Sequence, residues 1–342
     1  MTDYKNLKLI ATSNPHIRDN DTTRSIMLDV IIAMLPALIW SVVEFGFRAI
    51  TVTAVSVAGC VFFEWLYRKL LKKPQSVGDL SAVVTGMLLS FVCPVNVAYW
   101  QILIGGAFSI IMVKQLFGGI GKNFLNPALA GRAFLLASYA AIMGRYAVPK
   151  ALTAAVDGVT MATPLSYLYS GAAMPGYMGF KSLLLGTIPG CIGELSTLAL
   201  LIGGAYLLAT KVISWRIPGA YLGTVAVLCL IFGHEGYGNV DWMLYNLMSG
   251  GLMLGAIFMA TDYATSPVTL NGQLLYGVGC GALTVLIRYF GGFPEGVTYA
   301  ILIMNLCTWA IDKGFHRHQF GVTKEDIAAE KAAKKAAKEA AK

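Results

Sequence analysis

The chain has 342 residues, 56% of them hydrophobic and only 13% charged. A soluble globular protein carries about a quarter of its residues as charges, so the composition excludes an ordinary soluble domain and indicates a polytopic α-helical membrane protein. The net charge of +8 is no sign of nucleic acid, because the cations flank apolar runs or crowd the last residues, where they set topology.

The opening stretch MTDYKNLKLIATSNPHIRDNDTTR is too polar for a signal peptide, which leaves insertion to the first apolar segment. Ten such segments follow, at about 24–44, 48–71, 80–94, 97–117, 125–143, 190–213, 217–233, 244–262, 273–290 and 295–313. With the N-terminus inside, fourteen cations before the tail fall on the inner side. Five fall outside: Arg48, Arg145, Lys150, Lys181 and Arg288. The positive-inside bias therefore puts both termini in the cytoplasm and the loop 144–189 on the outer face.

Ten segments divide into five and five, and an odd number per half inverts the second half relative to the first. VTGMLLSFVCPV in the third segment parallels SGGLMLGAIFMATD in the eighth, each ending at a helix breaker. The expected architecture is all-α, with ten transmembrane helices as two inverted five-helix repeats. Its parts are a cytoplasmic N-terminal segment (1–23), a first repeat (24–143), an outer loop (144–189), a second repeat (190–313) and a cytoplasmic Ala/Lys-rich tail (314–342).

Ionisable groups inside apolar segments need partners or a function. Glu64 precedes Arg68 by four residues, and a pair on one helix face accounts for it. Arg132 lies two turns into the fifth segment, where it either snorkels inward or binds a phosphate or carboxylate. Glu194 and Asp262 stand out because of their surroundings. FGGIGKNFLNPALAGR, from Phe117 to Arg132, supplies the amides of Asn123 and Asn126, with Pro127 suited to a first helical turn. GCIGELSTLA carries Glu194, and FMATDYATSPVT carries Asp262 among hydroxyl side chains. Together these clusters resemble helix-terminus sites for a polar ring or a cation. The six cysteines form no CxxC and read as packing residues. No histidine spacing suits haem, and no metal site is assigned.

The outer loop holds DGVTMATPL, residues 157–165. It matches D-x-x-(S/T)-x-A-T, the mark read by bacterial flavin transferases, which cleave FAD and leave FMN as a phosphoester on the last threonine. With the FNPALAG, GELS and FMATDYATSP segments in the same order, residues 20–320 resemble the RnfD family, the D component of the Rnf electron transport complex. They resemble more distantly NqrB, the B component of the sodium-translocating NADH:quinone reductase. The resemblance implies a membrane flavoprotein that relays electrons between ferredoxin and NAD in an ion-translocating complex of the bacterial inner membrane. Other Rnf subunits, including a second flavoprotein, would be its partners, and sodium or protons would be exported. It makes Thr163 the FMN-bearing residue, with Asp157, Thr160 and Ala162 as recognition residues; Met161 stands where the family usually has glycine. It also implies a membrane-bound riboflavin and a role for Asp262 in cation handling. A phosphoester cannot form in hydrocarbon, so Thr163 is expected to expose its hydroxyl at the aqueous face. Two other readings remain at this stage: a secondary transporter with inverted repeats, which leaves the outer motif without a use, and a membrane scaffold without flavin, which leaves Thr163 unexplained.

Overall fold

The computed structural model describes residues 21–152, 160–170, 174–233, 236–291 and 295–315. Helices follow the apolar segments in order. α1 (Thr23–Phe45) and α2 (Phe47–Leu70) are long, α3 (Ser81–Phe91) is short, and α4 (Tyr99–Ala107) runs on as a π-helix, Phe108–Gln115. α5 (Pro127–Ser138) is followed by one turn, α6 (Ala140–Met143). The loop between the halves holds a two-stranded antiparallel sheet, β1 (Tyr146–Ala147) and β2 (Thr160–Met161), and two short helices, α7 (Pro164–Ser170) and α8 (Phe180–Leu185). The second half comprises α9 (Thr197–Ala209), α10 (Arg216–Phe232), α11 (Asn239–Met248), α12 (Leu252–Leu254) with its π-helical continuation Gly255–Met259, α13 (Leu270–Phe290) and α14 (Val297–Gly314).

Local chemistry fixes the helix starts. Thr22 and Ser25 form a reciprocal capping box at α1. Asn126 caps α5 by accepting from Ala128 and Leu129, and Pro127 takes the first position, where no N–H is needed. Ser196 caps α9. Among the described residues, α1, α2 and α13 are long and apolar enough to cross a membrane alone. α11 and the Leu252–Met259 helix pass together as one segment bent by 63°. The remaining apolar segments contain shorter helices, so the sixth, expected from residue 190, becomes helical only at Thr197.

α1 packs on α9, α2 on α3 and α4, α10 on α11 and α13, and α5 on α14. The outward faces stay apolar: Leu28, Ile32, Leu35, Ile39 and Val43 stripe the exposed side of α1, as lipid contact requires. Polar groups gather at two places inside. At the cavity end, the starts of α1, α3 and α5 meet the ends of α9 and of the Gly255–Met259 turn. At the loop end, the end of α3 meets the segment before α9, with Gly193 donating to the Phe91 carbonyl and Ile192 to that of Cys93. The first twenty residues, and the tail from residue 316, lie outside the described residues.

Candidate functional site

The cavity end encloses about 90 Å³, lined by Asn123, Asn126, Asp262, Lys114, Thr85 and Phe258 among others. Both π-helical stretches border it, through Lys114 and Phe258, and such stretches recur at functional sites. Both ends of the Asn126 side chain are engaged, with one of the two Nδ2 hydrogens committed. Its oxygen caps α5, and its Nδ2 donates to the Met259 carbonyl at 3.2 Å, tying the start of α5 to the end of the broken eighth segment. Asn123 Nδ2 donates to the Leu125 carbonyl at 3.1 Å. Asp262 accepts from Thr265 at 3.1 Å.

Glu64 is not held by Arg68. Its carboxylate takes Lys114 Nζ at 2.7 Å and the Ser76 hydroxyl, while Lys114 also donates to Ser81 Oγ at 2.6 Å. Arg68 instead donates to Gln115 and to the Pro74 carbonyl. An intrahelical pair would leave Lys114 buried without a counter-charge. The pairing between α2 and the π-helical end of α4 satisfies both charges, whose side chains are 0% and 4% exposed.

The loop end is filled. α7 lies antiparallel to α11: Tyr169 donates to Asn246 at 2.9 Å and its ring meets Trp242, while Leu165 reaches Gly250. Thr163 caps α7. Its Oγ1 lies 3.0 Å from Ser166 Oγ and accepts from Ser166 N at 3.3 Å. The residue is 4% exposed, so the expected free hydroxyl is instead packed and capped. Thr160 is exposed on β2, where it pairs with Ala147, and Met161 pairs with Tyr146. Asp157 lies outside the described residues.

Behind β1, Tyr146 donates to Glu295, which also pairs with Arg132; Arg132 points a second contact at Cys191 Sγ, 3.9 Å away. Arg132 thus binds a carboxylate. Burial, and then the Glu295 carboxylate beside it, push the Tyr146 phenol well above its usual range and keep it a donor. Glu194 Oε1 accepts from Cys191 N at 2.9 Å. Its other oxygen lies against Gly251, where a Cβ would meet it at 2.6 Å. Gly250 and Gly251 have φ of +68° and +67°, so the break in the eighth segment uses two left-handed residues that only glycine adopts without strain.

The three clusters singled out in the sequence therefore divide. Those carrying Asn123, Asn126 and Asp262 meet at the cavity, whereas Glu194 stands at the opposite end with Arg132 and Thr163. Lys114, Glu295, Ser166 and Arg288 join these sites although sequence reasoning misses them. Arg288 offers a signal, since it interrupts the apolar run TVLIRYF, but it counts there among the outer flanking cations.

Residues 10–321 match the model of the NQR2, RnfD, RnfE family. The chain belongs to this family. It is 48% identical over 320 residues to the D component of the Na(+)-translocating ferredoxin:NAD(+) oxidoreductase complex of Acetobacterium woodii, covering 93% of this chain and 97% of that one. Similarity to the proton-translocating counterpart of Clostridium ljungdahlii is 40% over 94% and 98% of the two chains. The D component of an ion-translocating oxidoreductase complex of Shewanella amazonensis is 37% identical over 88% and 94%. As a member of the NQR2, RnfD, RnfE family the chain is part of an oxidoreductase complex, and both polar ends of its fold lie within the matched residues.

Proposed function

We propose that this chain is the D component of an Rnf-type ion-translocating ferredoxin:NAD oxidoreductase in a bacterial cytoplasmic membrane, and that it relays electrons through FMN joined to Thr163. The observation that carries the reading is the order of the motif on the fold. Thr160 sits exposed on a strand anchored to β1, and Thr163 begins a helix three residues later. Attachment forms the bond from Thr163 Oγ to the FMN phosphorus of FAD and breaks the bond to AMP, with the hydroxyl proton passing to the transferase. Because Thr163 is capped and buried, the Thr163–Ser166 contact has to open for transfer. When bound, the isoalloxazine supplies one- and two-electron chemistry; the protein supplies position and a dry surround. The loop then belongs on the outer face, with both termini cytoplasmic.

Ten membrane segments in two inverted repeats fit the two short or broken elements, α3 and the α11–α12 pair, at equivalent places in the halves. The amide pair at the cavity suits the polar edge of a flavin-class ring such as riboflavin. The enclosed 90 Å³ is well below the ~300 Å³ of a typical ligand site, so most of the ring would stand in the mouth of the cavity. Asp262 beside it is the proposed cation-handling carboxylate.

In-gel fluorescence of the denatured chain, co-expressed with a flavin transferase, tests the central claim. Wild type should fluoresce and Thr163→Ala should be dark. A dark wild-type band would end the reading, and a fluorescent Thr163→Ala would move the attachment to another hydroxyl, Thr160 first. Asp262→Asn should slow cation-coupled turnover with FMN fully attached; unchanged transport and turnover would remove Asp262 from the mechanism.

A further inference from the structure

An apolar groove of about 430 Å³ runs along one flank of α2. Ala58, Val61, Phe62 and Trp65 line it at the spacing of one helix face, and Gln75 and Val77 of the following loop form its other wall. The volume lies within the ~300–1,000 Å³ of ligand sites. Phe62 and Trp65 are 50% and 39% exposed, so the groove opens outward, toward lipid. Lys69, one turn beyond Trp65, lays its Nζ over the indole ring, 4.5 Å from the centroid. The groove is therefore apolar along its length and cationic at one end.

Ala58 and Lys69 belong to the same helix, and the eleven residues from one to the other span ~16 Å at ~1.5 Å per residue. One leaflet of a bilayer has about the same depth of hydrocarbon, ~15 Å. The chain then leaves α2 by a Schellman turn: Lys73 N donates to the Arg68 carbonyl at 2.9 Å and Lys72 N to that of Lys69 at 3.2 Å. The pivot is Lys72, with a φ of +52°, where glycine is the residue without strain. An exposed lysine thus stands where folding alone favours glycine. Arg68 is engaged by Gln115 and the Pro74 carbonyl, and Lys73 lies over the Tyr67 ring. Neither Lys69 nor Lys72 has a carboxylate partner among the described residues, so both can serve an anion.

We propose that this groove binds an anionic phospholipid, with one acyl chain along Phe62 and Trp65, the phosphate on Lys69, and Lys72 adding charge at the same rim. The apolar walls alone would take any bilayer lipid. The lysines at headgroup depth select a negative one, at about fivefold in affinity for each cation. Ser76, between Gln75 and Val77, donates to Glu64, the partner of Lys114. The wall of the groove is thus anchored to the brace of the cavity end.

The test uses the full chain in detergent and phospholipids brominated on the acyl chain, which quench a tryptophan they touch. The Trp65 signal is the difference between wild type and Trp65→Phe. Brominated phosphatidylglycerol should quench it at a mole fraction at least about fivefold lower than brominated phosphatidylcholine. Lys69→Gln should lose about fivefold of that preference, and Lys72→Gly a similar factor. Glycine relaxes the turn, so Lys72→Gly should also raise Tm; a lowered Tm would make its weaker binding damage to the fold and remove Lys72 from the site. Ala58→Leu, which fills the groove, should weaken quenching by both lipids. Equal quenching by the two lipids in wild type overturns the proposal and leaves the groove to ordinary lipid or to a helix of a neighbouring subunit. An unchanged preference in Lys69→Gln overturns it too, as does a loss in Lys73→Gln as large as in Lys69→Gln, which would mark a diffuse basic surface.

Discussion

The two polar ends of this bundle solve the same problem in opposite ways. At the cavity end the polar side chains are tied down from behind, Lys114 by Glu64 and Ser81, Asn126 by the start of α5, and their front faces enclose open space. At the loop end the space is gone: Leu165, Leu168, Trp242 and Arg288 are almost fully buried, and Thr163 is buried and bonded to Ser166. The difference teaches what each end is built to receive. An open, braced cavity admits a group that comes and goes. A filled one can receive a group only after the Thr163–Ser166 contact opens.

The largest expected effect is on the brace of the cavity end. Removing one member of a buried ion pair leaves the other charged and unpaired, at about 3–5 kcal/mol. Glu64→Gln or Lys114→Met should therefore lower the denaturation midpoint of the chain markedly, and the double variant should recover most of the loss. A single variant as stable as wild type would show that the pair contributes no bracing. If Thr163 carries flavin as proposed, the in-gel flavin band should persist, because the pair lies at the other end.

The filled end can be broken at the Gly250–Gly251 bend. Gly251→Ala places a non-glycine residue in a left-handed conformation, at about 1–2 kcal/mol, and drives its methyl into the Glu194 carboxylate. The expected result is reduced stability and a shifted Glu194, seen as faster hydrogen exchange at Cys191 N, which donates to that carboxylate. Exchange at the wild-type rate would mean that the bend absorbs the methyl and that close packing there is dispensable.

Much of this contrast is legible in the sequence, but unevenly. The apolar segments and the breakers at Pro94 and after Asp262 are local signals, and helices end where they point, whereas the bend at Gly250–Gly251 falls inside the segment 244–262 expected to be continuous. Asn126 followed by Pro127 announces a helix start, because cap chemistry is local. Partnerships across the bundle are not legible. Glu64 lies four residues from Arg68 and fifty from Lys114, and only packing shows that the distant partner wins. The exposure of Thr163 escapes sequence reasoning for a similar reason. Polarity and topology place a loop at the aqueous face, but whether its hydroxyl points outward depends on Leu165, Leu168 and Tyr169 docking α7 against α11. Arg288, in sequence a flanking charge, is buried because α11 ends against it.

The smallest effect sharpens the comparison most, because it separates bracing from binding at one residue. Asn126→Ala removes the cap of α5, at about 0.5–2 kcal/mol, and the bond to the Met259 carbonyl. Asn126→Asp keeps the capping oxygens but loses the amide donor, and it sets a carboxylate against that carbonyl. If the cavity holds a flavin-class ring by its amides, both variants should lose the flavin that denaturation releases, while the covalent band at Thr163 remains. Stability should recover in Asn126→Asp to the extent that the cap dominates. Releasable flavin at the wild-type level in both variants would assign Asn126 to the brace alone.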